Sequence, residues 1–191
     1  QLTCQTSGYA RHHRIGYAKR SFESANLGDL DFGGAFASSA DGKKLAFSTG
    51  SSVGIYDAST GKSLAGFKLN EGLTIESGAG RVWGKDGNLW LAARVQQAAY
   101  GELNYGAPIL MLFKVEVKQA FVIKKFPQWT GARIVSISMD SGEAVAYLVV
   151  HFTDAEKNTV MGDLWAWDSR TDVTERLTSL GDVTGVANSA K

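Results

Sequence analysis

Two turn signals alternate along this chain in a fixed order, and that order restricts the fold more than any single residue does. The first is Asp41-Gly42, set between the runs Phe36-Ala37-Ser38 and Leu45-Ala46-Phe47. A tight Asp-Gly turn between alternating apolar runs is the short-range mark of a β-hairpin. Val53, Ile55 and Tyr56 make a third strand, and Asp57-Ala-Ser-Thr-Gly61-Lys62 carries the second signal, rich in the residues that satisfy a turn's backbone and supply positive φ. Leu64, Gly66 and Phe67 complete a fourth strand. Residues 36–68 therefore read as one four-stranded antiparallel meander.

Both signals recur in order, as a repeat architecture requires. The first returns as Asp86-Gly87-Asn88 and as Asp140-Ser141-Gly142-Glu143, at intervals of 45 and 54 residues. The second returns as Trp167-Asp168-Ser-Arg-Thr-Asp172, with a degenerate version around Lys114 in the middle unit. The strands between are rich in β-branched and aromatic residues, among them Leu89-Trp-Leu-Ala-Ala-Arg-Val95, Ile109-Leu-Met-Leu-Phe-Lys-Val115 and Ala120-Phe-Val-Ile-Lys-Lys-Phe126. No long amphipathic helix is legible in this span, so the expected class is all-β.

Composition narrows the setting. A chain of 191 residues that is 44% hydrophobic and 20% charged has a globular balance. Its apolar runs at 144–150 and 109–113 fall far short of the roughly 20 residues of a membrane-spanning helix, so no membrane insertion is expected. Cys4 is the only cysteine, which excludes an internal disulfide and favours a reducing, cytoplasmic location. Asn158 and Asn188 are followed too closely by Thr and Ser to be glycosylation acceptors. Residues 1–20 hold Arg11, Arg14, Lys19 and Arg20 and no acid, whereas the remainder has 16 basic against 19 acidic residues.

An aromatic-Asp pair followed by a Ser/Thr/Gly turn, preceded by Ser39-Ala-Asp-Gly-Lys-Lys-Leu-Ala-Phe47, resembles the β-propeller repeat of WD40 proteins and of the TolB-like class. The resemblance covers residues 33 to 183. The stretch Asp163-Leu-Trp-Ala-Trp-Asp168 through Arg176-Leu-Thr178 also resembles a blade end in the propellers that cap prolyl-oligopeptidase-type peptidases. The sequence departs from the WD40 pattern in lacking a Gly-His pair before any blade, and its literal aromatic-Asp pairs are Tyr56-Asp57 and Trp167-Asp168 alone. The resemblance implies antiparallel four-stranded meander blades. About three blades and the start of a fourth, at Thr184 to Lys191, are expected in residues 33–191, with residues 1–32 a basic N-terminal arm or the strands of a partial blade. Closed propellers have about four to eight blades. Three make a partial propeller, completed by a longer parent or by a partner chain, and the start at Gln1 without Met points to a processed product or a piece.

The two signals are 16 residues apart in the first unit, Asp41 to Asp57, and 28 apart in the others, Asp86 to Lys114 and Asp140 to Asp168. The extra residues, 96–107 and 153–162, are rich in Gly, Asn and charge and are expected to be long loops between second and third strands. Loops of one class leave a meander at the same edge, so the two would lie side by side. Tyr100 and Tyr105 in the first, and Trp129 after Pro127 in an inter-blade link, are candidate partner contacts. The remaining tryptophans are expected to pack between blades. Arg11, Arg14, Lys19 and Arg20, interleaved with Tyr9 and Tyr17, are candidates for an acidic protein partner or, through residues 9–20, for nucleic acid.

Catalytic signals are weak. There is no Gly-x-Ser-x-Gly elbow, and only His12, His13 and His151 could act as imidazole bases. Adjacent His12 and His13 would point to opposite strand faces, Cys4 has no partner at ligand spacing, and Asp29 and Asp31 suit a turn better than a cation site. Gly78-Ala-Gly80-Arg-Val-Trp-Gly84 spaces its third glycine one residue too late for a dinucleotide loop. No cofactor and no metal are expected. The reading is a non-enzymatic protein-interaction or scaffold module of a larger assembly, binding through the long second-to-third-strand loops. The alternatives are the propeller cap of a prolyl-oligopeptidase-like hydrolase whose catalytic domain lies elsewhere, and an RNA-associated propeller of the translation machinery.

Overall fold

The computed structural model describes residues 2–6, 9–16, 21–26, 36–76, 78–99, 102–154 and 159–186. The first three strands, β1 (Leu2–Thr6), β2 (Tyr9–Gly16) and β3 (Ser21–Asn26), pair as an antiparallel sheet with β2 in the middle. Three further sheets follow in chain order. β4 (Phe36–Ser38), β5 (Lys44–Thr49), β6 (Ser52–Asp57) and β7 (Ser63–Lys68) form the first as a plain meander. In the second, β8 (Leu73–Thr74) and β9 (Arg81–Trp83) share the position of an inner strand, both pairing with β10 (Leu89–Ala99), and β11 (Glu102–Lys114) and β12 (Gln119–Lys125) continue outward. A 3-10 turn at Pro127–Trp129 leads to the third meander of β13 (Arg133–Met139), β14 (Val145–Asp154), β15 (Thr159–Asp168) and β16 (Val173–Arg176).

The repeat is built into the turns. Each of these three sheets has a left-handed residue between its first and second strands, Gly42, Gly87 and Glu143, and another between its third and fourth, Gly61, Lys118 and Asp172. Lys118 thus fills the place of Gly61, and the degenerate middle turn has the same backbone with φ +53°. The aspartates fasten these corners. Asp57 Oδ1 accepts from the backbone N–H and hydroxyl groups of both Ser59 and Thr60. Asp140 accepts from the N–H groups of Gly142, Ala144 and Val145, and in this turn the left-handed residue is Glu143, whose N–H donates to the Asp140 carbonyl as the Gly42 N–H does to Ser39.

The sheets stack face to face, and the middle one is buried on both sides. Leu89, Leu91, Ala93, Ile109, Met111 and Phe113 meet Ala46, Val53, Ile55 and Ala65 of the first sheet. Trp90, Ala92 and Leu110 turn the other way, against Ile134, Ile137, Ala146, Leu148, Val150 and Trp167 of the third. Because strand side chains alternate between faces, a strand covered on both must read as an unbroken apolar run, as residues 89–93 do. Phe67 stacks on Phe113 at 4.0 Å across the first seam, where Phe113 is fully buried. Burial of one such ring contributes about 1.5–3 kcal/mol. The inner strands approach through Gly80, whose N–H donates to the Ile134 carbonyl at 2.9 Å. A Cβ there would lie 2.9 Å from the Ser136 backbone, so this glycine serves close strand packing. These are three consecutive blades of a β-propeller, and the described residues do not close a ring.

The inserts are a correction to the sequence reading. Residues 96–107 and 153–162 were expected to be loops, but the β10–β11 ladder runs on to Ala99↔Glu102 and the β14–β15 ladder to Asp154↔Thr159. A ladder needs backbone donors and acceptors, which polar residues supply as well as apolar ones.

Candidate partner-binding rim

The turns that open the second and third blades touch one another. The Lys85 N–H donates to the Glu143 carboxylate, and Lys85 Nζ donates to the Ser141 carbonyl at 2.9 Å. β10 and β14 leave from these adjoining turns, so their far ends emerge together at the opposite rim. There the first blade closes at once, Thr49 pairing with Ser52, while β10 and β14 continue for 11 and 10 residues against 6 in β5. At about 3.3 Å per residue the two hairpins stand roughly 13–16 Å beyond that level. They form a pair of arms.

Each arm rests on buried charge. At the base of β10–β11 the register shifts between Arg94 and Gln96, opposite Pro108, which has no N–H to give to the ladder. Arg94 Nη1 donates to Glu76 Oε2 at 2.9 Å, with side chains only 6% and 15% exposed. Glu76 comes from the break between β8 and β9, so this ion pair ties the interrupted inner strand to the arm. Just beyond the break, burial lowers the Arg81 pKa to about 10, and its Nη2 donates to the Ala79 carbonyl at 2.7 Å.

Asp163 is the counterpart in the third blade. Burial opposes its ionisation, but hydrogen bonds from Arg176, from the Gly181 N–H at 3.3 Å and from Thr178 Oγ1 at 3.1 Å outweigh it and hold the carboxyl below its usual range. These contacts anchor residues 177–186 as a strap across the base of the β14–β15 arm. The strap is fixed by Gly162 N–H to the Gly181 carbonyl at 2.8 Å, Val183 N–H to the Gly162 carbonyl at 3.0 Å, and His151 Nε2–H to the Val183 carbonyl at 3.1 Å. Val186 N–H reaches Ser136 Oγ on β13 at 3.3 Å, so the strap leads back to the innermost strand. Beside it Met161 is 42% and Leu180 73% exposed, while Val160, on the opposite face of β15 and towards the far end of the arm where it pairs with Thr153, is 52% exposed. In the sequence this exposed apolar surface is marked only by Val160 and Met161 amid polar residues.

The candidates named from sequence are distributed as follows. Tyr105 lies in β11, in the arm, where it pairs with Gln96; Tyr100 lies outside the described residues. Arg11 and Arg14 are in β2, pairing with Asn26 and Glu23 of β3, and Lys19 and Arg20 lie outside the described residues, as do Asp29 and Asp31. Trp129 is a correction. It is 3% exposed, stacked on Phe126 at 4.4 Å and edge-on to Trp165 at 5.1 Å, because the turn after Pro127 folds the ring into the seam between the second and third blades. The other four tryptophans also pack in seams, Trp83 with its Nε1–H donated to the Ala37 carbonyl at 3.0 Å. Among the described residues no helix is long and apolar enough to cross a membrane.

No family model matches the chain, and no curated protein matches it. Solved structures do. A periplasmic gluconolactonase from Pseudomonas aeruginosa superposes with a TM-score of 0.53 at 14% identity over 93% of this chain. The chain spans 49% of that protein's length. BamB from Moraxella catarrhalis gives a TM-score of 0.40 at 12% identity, over 95% of this chain and 70% of that one. At 14% identity the likeness to the gluconolactonase concerns the fold alone, and it agrees with the partial β-propeller that the sheets form.

Proposed function

We propose that this chain is a non-enzymatic, protein-binding part of a propeller within a larger assembly, and that it engages its partner through the β10–β11 and β14–β15 arms. The carrying observation is the pairing of the two inserts into arms on neighbouring blades, with apolar Val160 and Met161 exposed on the two faces of one arm and Leu180 exposed in the strap beside it. Exposed apolar surface bordered by polar residues is what protein interfaces use, and a tyrosine such as Tyr105 supplies contact area at low entropic cost. The single cysteine agrees with action in a reducing compartment such as the cytoplasm.

The test shortens each arm to a two-residue turn like that of the first blade, and compares recovery of co-purifying protein with the parent chain. Thermal melting of each variant serves as the control on folding. Loss of a specific partner with an unchanged melt supports the reading; unchanged recovery with both arms removed overturns it.

A further inference from the structure

The outer edge of the middle blade is unlike the other two. Among the described residues β12 is the last strand of its sheet and pairs only with β11. Every second residue of such an edge turns its N–H and C=O away from the sheet. Phe121, Val122 and Ile123 stand consecutively on it, each between 37% and 41% exposed, and Val117 in the preceding turn is 61% exposed. Phe121 lies opposite Leu112, on the side of the third blade, and Val122 opposite Met111, on the side of the first, so neither neighbour covers this edge. A long apolar edge without proline is the template on which another strand adds, and proteins normally blunt it. The blunting here is slight: one register shift between Leu110 and Met111, and lysines at the ends.

Those lysines identify the occupant. Residues 114–125 contain Lys114, Lys118, Lys124 and Lys125 against a single acid, Glu116. Lys124 is engaged by Asp172 of the third blade at 2.6 Å, and Lys114 Nζ lies 5.6 Å from the centre of the Phe121 ring. Exposed Lys118 and Lys125 bracket the apolar triplet at its two ends. An added strand would meet apolar surface in the middle and positive charge at both ends. We infer that β12 receives an extended peptide of alternating acidic and β-branched residues, added antiparallel or parallel as a further strand of the middle blade. This site is separate from the rim arms and stands or falls independently of them. Main-chain pairing would supply affinity, and the lysines would select against basic segments.

The probe is a fluorescein-labelled, terminally blocked peptide Glu-Val-Glu-Val-Glu-Val-Glu, titrated into the full chain by anisotropy with amide exchange in parallel. Binding is expected, with slowed exchange confined to β12 and affinity falling at least about tenfold when Lys118 and Lys125 are both changed to Glu. Val122→Pro, which removes an N–H and distorts the edge, should abolish binding; Val122→Glu, which keeps the backbone but puts like charge and no apolar surface beside the acidic peptide, should weaken it if the proline variant fails to fold. Absence of binding, equal binding of the matching Lys-Val peptide, protection in the rim arms instead of β12, or edge-to-edge dimerisation without peptide uptake would each overturn the proposal.

Discussion

The Glu76–Arg94 pair offers the most quantitative test of how the split inner strand holds the β10–β11 arm. Its side chains are 6% and 15% exposed, so each charge has lost most of its water and depends on the other. Breaking a buried pair by removing one partner costs about 3–5 kcal/mol, and the residual exposure of Glu76 places this case near the lower figure. In a chain of this size 1 kcal/mol corresponds to roughly 2–4 °C, so Glu76→Leu or Arg94→Met should lower the melting temperature by about 6–12 °C. Glu76→Leu should be the worse of the two, because the guanidinium cannot shed its charge. The double variant Glu76→Leu/Arg94→Met should return to within about 1 kcal/mol of the parent, since two apolar side chains replace two desolvated charges. Urea denaturation of the four proteins closes the cycle. A coupling energy above about 2 kcal/mol is expected; single variants that each cost under about 1 kcal/mol, or costs that simply add, would refute the view that this pair pins the arm.

Other outcomes follow from the turns and the strap. Lys118→Gly should stabilise by about 0.5–1 kcal/mol in urea, because Lys118 holds φ +53° where its first-blade equivalent is Gly61. The same change at Asp172 should not stabilise, since it removes the partner of Lys124 and of the Trp167 Nε1–H. Asp57 is lowered to about 2 chiefly by the Ser59 and Thr60 hydroxyls, and Asp168 to about 2 chiefly by Arg170. A depressed folded pKa stabilises fully above the unfolded value of 3.8 and is lost as pH falls toward 2, so Asp57→Asn and Asp168→Asn should each flatten the fall of melting temperature in that window. Gly162→Ala drives a Cβ into the Val183 carbonyl oxygen, forcing the strap to move. A loss of about 1–3 kcal/mol is expected, with faster amide exchange at Gly181, Val183 and Val186.

What could be read from the sequence was whatever the local chemistry of a residue dictates. Asp-Gly corners and the Asp57 cap announce themselves because few residues satisfy those backbones, and the β-branched and aromatic runs at 89–95 and 109–115 announce strands. Lys118 gives no such signal: a lysine in a left-handed turn is held there by the strands it joins. The break between β8 and β9 was hidden for a similar reason, since Gly78 and Gly80 suggest a loop, whereas the need for Gly80 comes from the backbone of a strand about fifty residues away in sequence. The arms were missed because their polar side chains carry no period, while the ladder that orders them is made of main chain. For Trp129 the link after Pro127 was legible, but the direction in which the link folds its ring was not.

Nuclear magnetic resonance of the two arms bears most directly on the central claim that the inserts are paired strands. Cross-strand contacts joining Gln97 to Asn104 and Thr153 to Val160, with slowly exchanging amides alternating along both hairpins, are the predicted result. Amides exchanging at free-peptide rates from 96 to 105 and from 153 to 160, with no contact across either pair, would contradict it.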